Sequence, residues 1–353
     1  MSTTLTAAPP TGLLDLYGEM VLIRRFEEAA ERQYKAARIG GYCHLSSGQE
    51  AATVGTVAAM EPDDLLVTGY RCHGFALARG VSPEAVMAEL FGRRDGCAHG
   101  RGGSMHLLDV SRGYYGGWGI VGGQLPIATG MALSLVRQGK EQAVLCELGD
   151  GAVNMGAWHE SLNLAAVWNL PVVFMVVNNK YGMGTSVDRA SAEPDIFKRA
   201  SAYRIEGERV DGDDLEEVEW ATARLLRAAR EERKPAVLEA LTYRFRGHSV
   251  ADAGLAYRTK QEIEERREQD PLVRTRESLV ARGVPLEGIE ALEAEVEAEV
   301  EAAVAFADAD AAPPVDRLAA GMYAEGSEEQ FERMRPGSPA GEEELVFAGG
   351  LGR

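Results

Sequence analysis

The chain has 353 residues, 45% of them apolar and 26% charged, with a formal charge of −18. That length and composition suit a globular protein built either as one large α/β domain with helical additions or as two domains. The acidic balance argues against nucleic acid or an anionic membrane surface as a partner, and no apolar run reaches the ~20 residues that a bilayer span needs.

Residues 1–11 read as a loose tail. Their sequence, MSTTLTAAPPT, has neither the basic start nor the apolar core of a secretory signal. The four cysteines, Cys43, Cys72, Cys97 and Cys146, show no C-x-x-C spacing, so the expectation is reduced thiols in a cytoplasmic protein. Leu13, Leu16, Met20, Ile23, Phe26, Ala30 and Tyr34 recur at helical spacing, predicting a helix from Leu13 to Ile39 that Gly40-Gly41 stops. A helix of small residues follows over Gln49 to Met60. Ser82-Pro83-Glu84 marks another start, with a capping serine, proline at the first position and acid in the first turn. Gly96 to Gly123 is glycine-rich, yet too full of aromatic and polar residues for a linker.

Helices and strands then alternate. Leu125 to Arg137, Met155 to Trp168 and Leu215 to Arg230 read as helices; Ala143 to Leu148, Val172 to Val177 and Ala236 to Leu241 read as strands. Continuous apolar strands are expected where helices cover both sheet faces, so the predicted fold is α/β with a doubly wound parallel sheet. From about residue 257 to 310 a charged helical extension follows. Within it Glu287 to Glu301 is a solvated face, with Ile289, Leu292, Val296 and Val300 on the opposite side. These limits give an α/β domain over 12–310 and a C-terminal segment, 311–353, weakly ordered at its end.

The stretch GDGAVNMGAWHESLNLAAVWNLPVVFMVVNNKYGMG, Gly149 to Gly184, carries the chemistry. Asp150 follows one predicted strand and Asn179 ends the next, and ligands of a parallel α/β sheet gather at the carboxyl ends of the strands. Asp150 alone would be a helix cap, and Asn-Asn alone would be turn chemistry. As a pair on neighbouring strands they make a hard all-oxygen set with little charge. Such a set suits Mg²⁺ at about 2.1 Å, shared with phosphate oxygens. Gly151 and Ala152 leave backbone N–H groups open at the start of a helix, where a diphosphate is favoured.

GDG followed one βαβ unit later by NN is the thiamin-diphosphate motif. With RRFEEAA (Arg24 to Ala30), GYCHLSSGQEA (Gly41 to Ala51), YRCHGFALARG (Tyr70 to Gly80), GRGGSMHL (Gly100 to Leu107), GIVGGQLPIATG (Gly119 to Gly130), NNKYGMGTS and YRFRGHS (Tyr243 to Ser249), the chain resembles the α subunit of two-subunit 2-oxo acid dehydrogenase E1 components, most of all those acting on pyruvate. The likeness runs from about Leu13 to Asp310. It implies the thiamin-diphosphate-binding fold. Asp150, Asn179 and the carbonyl of Tyr181 would hold Mg²⁺, while Gly151, Ala152, Tyr70 and Arg71 would hold the diphosphate. Gly119 and Val121 would meet the aminopyrimidine, and His44 and His248 would lie near the reacting carbon. It further implies an E1 β subunit that completes an α₂β₂ heterotetramer, and a lipoyl-bearing E2 acyltransferase that receives the acyl group from a small 2-oxo acid. Acetoin and branched 2-oxo acids are alternative substrates. Ser249 and Ser186 match positions phosphorylated in some relatives; ordinary loop hydrogen bonding is the preferred reading, and Ala256 stands at a third such position.

Among the other histidines, His159 is expected to be a helix packing or hydrogen-bonding residue and His73 a support for Tyr70-Arg71, with no role assigned to His99 or His106. Gly117-Trp118-Gly119-Ile120-Val121-Gly122 is a literal G-x-G-x-x-G, which would suggest an NAD-dependent dehydrogenase. The expectation is that it fails, because Arg112 to Gly116 is not an apolar strand. A non-catalytic regulatory subunit would be expected to lose Asp150, Asn179, Arg71 or His248, and all four are present.

Overall fold

The computed structural model describes residues 12–315. The expected tail over 1–11, and the C-terminal segment from residue 316 on, lie outside them. One unit spans Met1–Ala312 and a second Pro313–Arg353, of which only residues 313–315 are described.

Helix α1 (Leu13–Lys35) is shorter than its periodicity suggests. Ala37 takes a left-handed conformation (φ 58°) and Arg38 N–H closes back on the carbonyl of Gln33, so the chain turns before the glycines are reached. Ile39 then enters the core separately. Helix α2 (Glu50–Ala58) leads to strand β1 (Leu65–Gly69), then α3 (His73–Ala78) and α4 (Pro83–Leu90). Ser82 caps α4 as its sequence predicts, its Oγ accepting from Ala85 N–H.

The glycine-rich stretch winds around one side chain. Fully buried Glu89, on α4, accepts the N–H groups of Ala98 (2.8 Å) and Gly100 (2.8 Å) on one oxygen. Its other oxygen accepts Gly102 (2.7 Å) and Gly103 (3.0 Å). The turn is tight enough that a Cβ at Gly96 would lie 2.5 Å from the Glu89 carboxylate.

Beyond it come β2 (Tyr114–Trp118), α5 (Gln124–Gln138), β3 (Val144–Gly149), α6 (Gly156–Trp168) and β4 (Val172–Asn178). A small hairpin of β5 (Tyr181–Gly182) and β6 (Thr185–Ser186) precedes the single turn α7 (Val187–Ala190). Then follow β7 (Glu206–Asp211), α8 (Leu215–Glu232), β8 (Ala236–Leu241), α9 (Lys260–Arg267), α10 (Pro271–Ala281) and α11 (Leu286–Ala309).

Six strands form one parallel sheet in the order β2-β1-β3-β4-β8-β7. The inner strands are buried on both faces, which is why their sequences read as unbroken apolar runs. Leu145, Val173, Met175 and Leu238 pack with residues of α1, α2, α4, α8 and α11. Val144, Cys146, Phe174 and Val176 pack with α5 and α6, where Trp158 meets Phe174 edge-to-face at 6.1 Å. At about 1.5–3 kcal/mol per large apolar side chain removed from water, these two layers are the main stabilising force. The doubly wound α/β fold is therefore the observed one. On α11, Ile289, Val296 and Val300 are buried as predicted, and the methyl carbons of Leu292 approach Gly18 of α1.

One expectation is corrected. A strand does run into G-x-G-x-x-G: β2 covers Tyr114–Trp118, its glycine-rich sequence tolerated because it is an edge with a single neighbour. Helix α5, however, carries the chain over β1 to β3 rather than to the adjacent strand, so this is not the compact βαβ unit of a dinucleotide site.

Candidate active site

The sheet order sets the location. From β1 the chain moves outward to β2, and β3 returns on the other side of β1, so the loops after β1 and β3 diverge and leave a crevice between them. A cavity of about 260 Å³ opens there. It is lined by Tyr70 and Arg71 after β1, Asp150, Gly151 and Ala152 after β3, Asn179, Tyr181 and Gly182 after β4, and Val121, Arg244 and His248 from other loops.

Strands β3 and β4 pair directly, Gly149 opposite Val177, so Asp150 and Asn179 do emerge side by side. Strand β4 ends at Asn178, whose side chain is tied to buried Glu239 (2.7 Å), leaving the next residue free to face the cavity. Asn179 donates through Nδ2 to Gln49 Oε1 (3.0 Å), which turns its Oδ1 toward Tyr181 N–H (3.3 Å) and Arg244 Nη1 (3.2 Å). The same Arg244 nitrogen donates to the Tyr181 carbonyl (3.0 Å). Two of the three oxygens expected to bind a metal thus share one cationic partner. The third neighbours them: a Cβ placed on Gly182 would be 3.8 Å from Asp150 Oδ2. One carboxylate, one amide oxygen and one backbone carbonyl form a hard, weakly charged set of the kind Mg²⁺ accepts when phosphate supplies the remaining charge. Among the described residues no cluster of three or more His, Cys, Asp or Glu side chains offers a rival metal site.

Arg244 is the residue that the sequence did not single out. Buried, it also donates to the carbonyls of Met183 (3.1 Å) and Arg246 (3.2 Å) and to Tyr257 Oη (3.0 Å), which in turn donates to Asp252 (2.6 Å). It fastens the β5–β6 hairpin to the loop that carries His248. Only YRFRGHS signals it, and there the histidine drew attention.

His44 lies just outside the cavity lining, packed at 4.6 Å on Tyr70 and 4.9 Å on His248 between ring centres. The backbone of His248 is held on both sides: its N–H donates to Asp252 (2.7 Å) and its carbonyl accepts from Arg71 (2.9 Å). Arg71 also donates to the carbonyl of Leu45, beside His44. This arginine was expected to face an anion; two donors join the histidine loops, and the rest of its five-donor fork stays available.

Burial dominates the electrostatics. It lowers His44 to about 3 and His248 to about 4, with the positive charge of Arg71 adding to both. Both rings are therefore neutral near pH 7, and the buried Nδ1 of each lacks a hydrogen-bond partner. Burial raises Asp150 to about 6 and lowers Arg71 to about 10. A divalent cation at Asp150 would reverse that rise.

Gly119 follows β2 and is not itself among the residues lining the cavity, although Trp118 and Val121 on either side of it are; a Cβ there would come within 3.0 Å of the His106 ring. His106 itself pairs with the carbonyl of Gly117 (3.2 Å). His73, two residues after Arg71, is fully buried between Glu27 Oε2 (2.8 Å) and Ser104 Oγ (2.7 Å). Glu27 also accepts the N–H and hydroxyl of Ser46, so one carboxylate links the segments that carry His44 and Arg71. His159 is exposed and pairs with Tyr203 (2.7 Å), and His99 occupies a left-handed turn. Ser249 is buried and Ser186 half-buried, and neither lines the cavity.

A family model described as "Dehydrogenase E1 component" matches residues 18–316. Relatives include the pyruvate dehydrogenase E1 component subunit alpha of Rhizobium meliloti, 44% identical over 86% of this chain and 88% of its own length. The somatic, mitochondrial forms of that subunit are 44% identical in Bos taurus, over 88% of this chain and 79% of theirs, and 43% in Homo sapiens, over 90% and 81%. A parallel sheet with this crevice, and a match across nearly all of the described residues, lead to one conclusion: the chain belongs to the dehydrogenase E1 component family.

Proposed function

We propose that this chain is the α subunit of a thiamin-diphosphate-dependent pyruvate dehydrogenase E1, which decarboxylates pyruvate and passes the acyl group to a lipoyl arm. The observation that carries this reading is the all-oxygen cluster of Asp150, Asn179 and Tyr181 at paired strand ends, opposite Tyr70 and Arg71. When bound, thiamin diphosphate supplies the nucleophilic carbon and the electron sink for breaking the carboxylate bond. The chain's own work is positioning. Asp150, Asn179 Oδ1 and the Tyr181 carbonyl would hold Mg²⁺, with Gln49 fixing which way the Asn179 amide points. The Gly151 and Ala152 N–H groups, Tyr70 and the free donors of Arg71 would take the diphosphate oxygens. Val121 and Gly119 would pack beside the ring. His44 and His248, neutral and with unpartnered Nδ1 atoms, would orient a 2-oxo acid without adding charge, and would relay a proton only by taking it on one ring nitrogen as the other gives one up.

An E1 β subunit, an α₂β₂ assembly, a lipoyl-bearing E2 and a cytoplasmic location belong to the same reading. The test is turnover of the chain co-expressed with its β partner, with thiamin diphosphate, Mg²⁺ and an artificial electron acceptor. Pyruvate should be preferred over acetoin and branched 2-oxo acids. Preference for one of those would move the substrate and keep the cofactor site, whereas cofactor binding without turnover of any would refute a catalytic role.

A further inference from the structure

Two carboxyls line the cavity, Glu147 and Asp150, and the metal set uses only the second. Glu147 stands on β3 among Val144, Leu145, Cys146 and Leu148, all buried, and is itself 5% exposed. An ionised carboxyl so placed costs several kcal/mol unless it is well paired. Its Oε2 accepts the Gly69 N–H at 2.8 Å. Among the described residues no ion pair joins it to Arg71, whose guanidinium is engaged by the Leu45 and His248 carbonyls. On its other flank, Gln124 donates to the Glu147 carbonyl (3.0 Å), while the buried Oε1 of Gln124 has no donor. A Cβ at Gly69 would meet Gln124 Nε2 at 3.5 Å and Glu147 Oε2 at 3.6 Å, so the two side chains close over the same backbone point. With Gln124 Nε2 spent on the Glu147 carbonyl, the carboxyl keeps the Gly69 N–H as its hydrogen-bond donor among the described residues, and a carboxyl so poorly paired inside an apolar strand favours the neutral acid.

Burial raises Glu147 to about 7, against the pull of the Gly69 N–H and of Arg71. The ionisable groups around it are Tyr70, Arg71 and Cys72 after β1, and Cys146 and Asp150 on its own strand end; α2, α3 and α5 present Thr53, Phe75 and Gln124. Burial raises Tyr70, Cys72 and Cys146, which are therefore uncharged near pH 7. Arg71 is thus the nearby cation that offsets a charged Glu147.

We propose that Glu147 takes up a proton from solvent as an anionic ligand enters this cavity and returns it when the ligand leaves, so that diphosphate affinity and protonation of this carboxyl are linked. The proposal rests on the cavity being the diphosphate site. A diphosphate that draws on Arg71 removes the offset and adds more negative charge than its Mg²⁺ cancels, and both changes favour the neutral acid. Affinity should then be flat below the free-state value and fall as pH rises through it, by up to about tenfold per pH unit.

The experiment is calorimetric titration of thiamin diphosphate, with saturating Mg²⁺, into the full chain complexed with its β subunit. Two buffers of different ionisation heat are used, and wild type is compared with Glu147→Gln. At pH 8 the wild type should take up a larger fraction of a proton than the variant. Between pH 7 and pH 8.5 its affinity should fall about tenfold further. Equal uptake and parallel pH profiles overturn the proposal and leave the diphosphate site standing. No binding to wild type overturns the site reading and the proposal with it. If Glu147→Gln does not assemble, the infrared difference between ligand-bound and free wild type at pH 8 decides: a new protonated-carboxyl band supports the linkage, and its absence refutes it.

Discussion

Replacing Glu89 by glutamine should destabilise the protein about as much as replacing it by alanine. The carboxylate accepts four backbone N–H groups, two on each oxygen, and is fully buried. A hydrogen bond to a charged group contributes about 1.5–3 kcal/mol, so the gross interaction is roughly 6–12 kcal/mol. Desolvating the carboxylate takes back several kcal/mol of that. Alanine leaves four amides without their acceptor and a cavity behind, for a net loss of about 3–5 kcal/mol. Glutamine keeps one oxygen for two of the amides but turns an NH₂ toward the other two, setting donor against donor. That opposition costs about what alanine's cavity does, so the two variants should fall within about 1.5 kcal/mol of each other. Urea unfolding reads the difference as a lowered midpoint at unchanged slope. Hydrogen exchange of Ala98, Gly100, Gly102 and Gly103 should accelerate in both variants. A glutamine variant within about 1 kcal/mol of wild type would refute the reasoning, because the loop would then have other acceptors within reach.

Further outcomes are expected at Asp150, at the histidine pair and at Arg244. Asp150→Ala should weaken Mg²⁺-dependent thiamin diphosphate binding by more than the 10–100-fold typical of residues behind a metal ligand, and unchanged affinity would remove the metal assignment. His248→Ala should keep cofactor affinity while lowering kcat. In the wild type, the depressed values of His44 and His248 mean that kcat/KM has no limb from either ring between pH 6 and pH 8; a limb lost in His44→Gln or His248→Gln would contradict this. The same depression predicts that stability falls as pH drops from about 6.5 toward 4, where the unfolded imidazoles bind protons that the folded ones refuse; His44→Gln should reduce that loss in pH-dependent unfolding. Arg244→Lys replaces a fork reaching five acceptors with a point charge, so limited proteolysis should cut the segments around Met183 and Gly254 faster; cleavage at the wild-type rate would show that the arginine does not hold them.

The sequence made β3, β4 and β8 legible because both of their faces are covered and their side chains are apolar throughout. It hid β7, whose EGERVD reads polar because this edge strand has one neighbour and mostly half-exposed side chains. It hid β2 for a related reason, since glycines leave no alternation to read. In the site, Asp150 and Asn179 stood out because a polar residue ends an apolar run. Arg244 and Glu147 did not, for opposite reasons. One lies in a polar loop among other arginines, and its acceptors come from distant segments. The other lies inside an apolar strand, where alternation suggests only core. The end of α1 was misplaced because a left-handed Ala37 carries no sequence signal of the kind glycine gives.

The crevice draws on loops that follow β1, β3 and β4 and on the segment beyond β8, and these ends meet only when the whole sheet is paired. Its geometry therefore cannot be transplanted piecemeal. A fragment ending before residue 244 would keep Asp150 and Asn179 but lack the guanidinium that spans Asn179 and Tyr181, and a fragment starting after β1 would lack Tyr70 and Arg71. Grafting this site onto another scaffold means moving the six-stranded sheet with it.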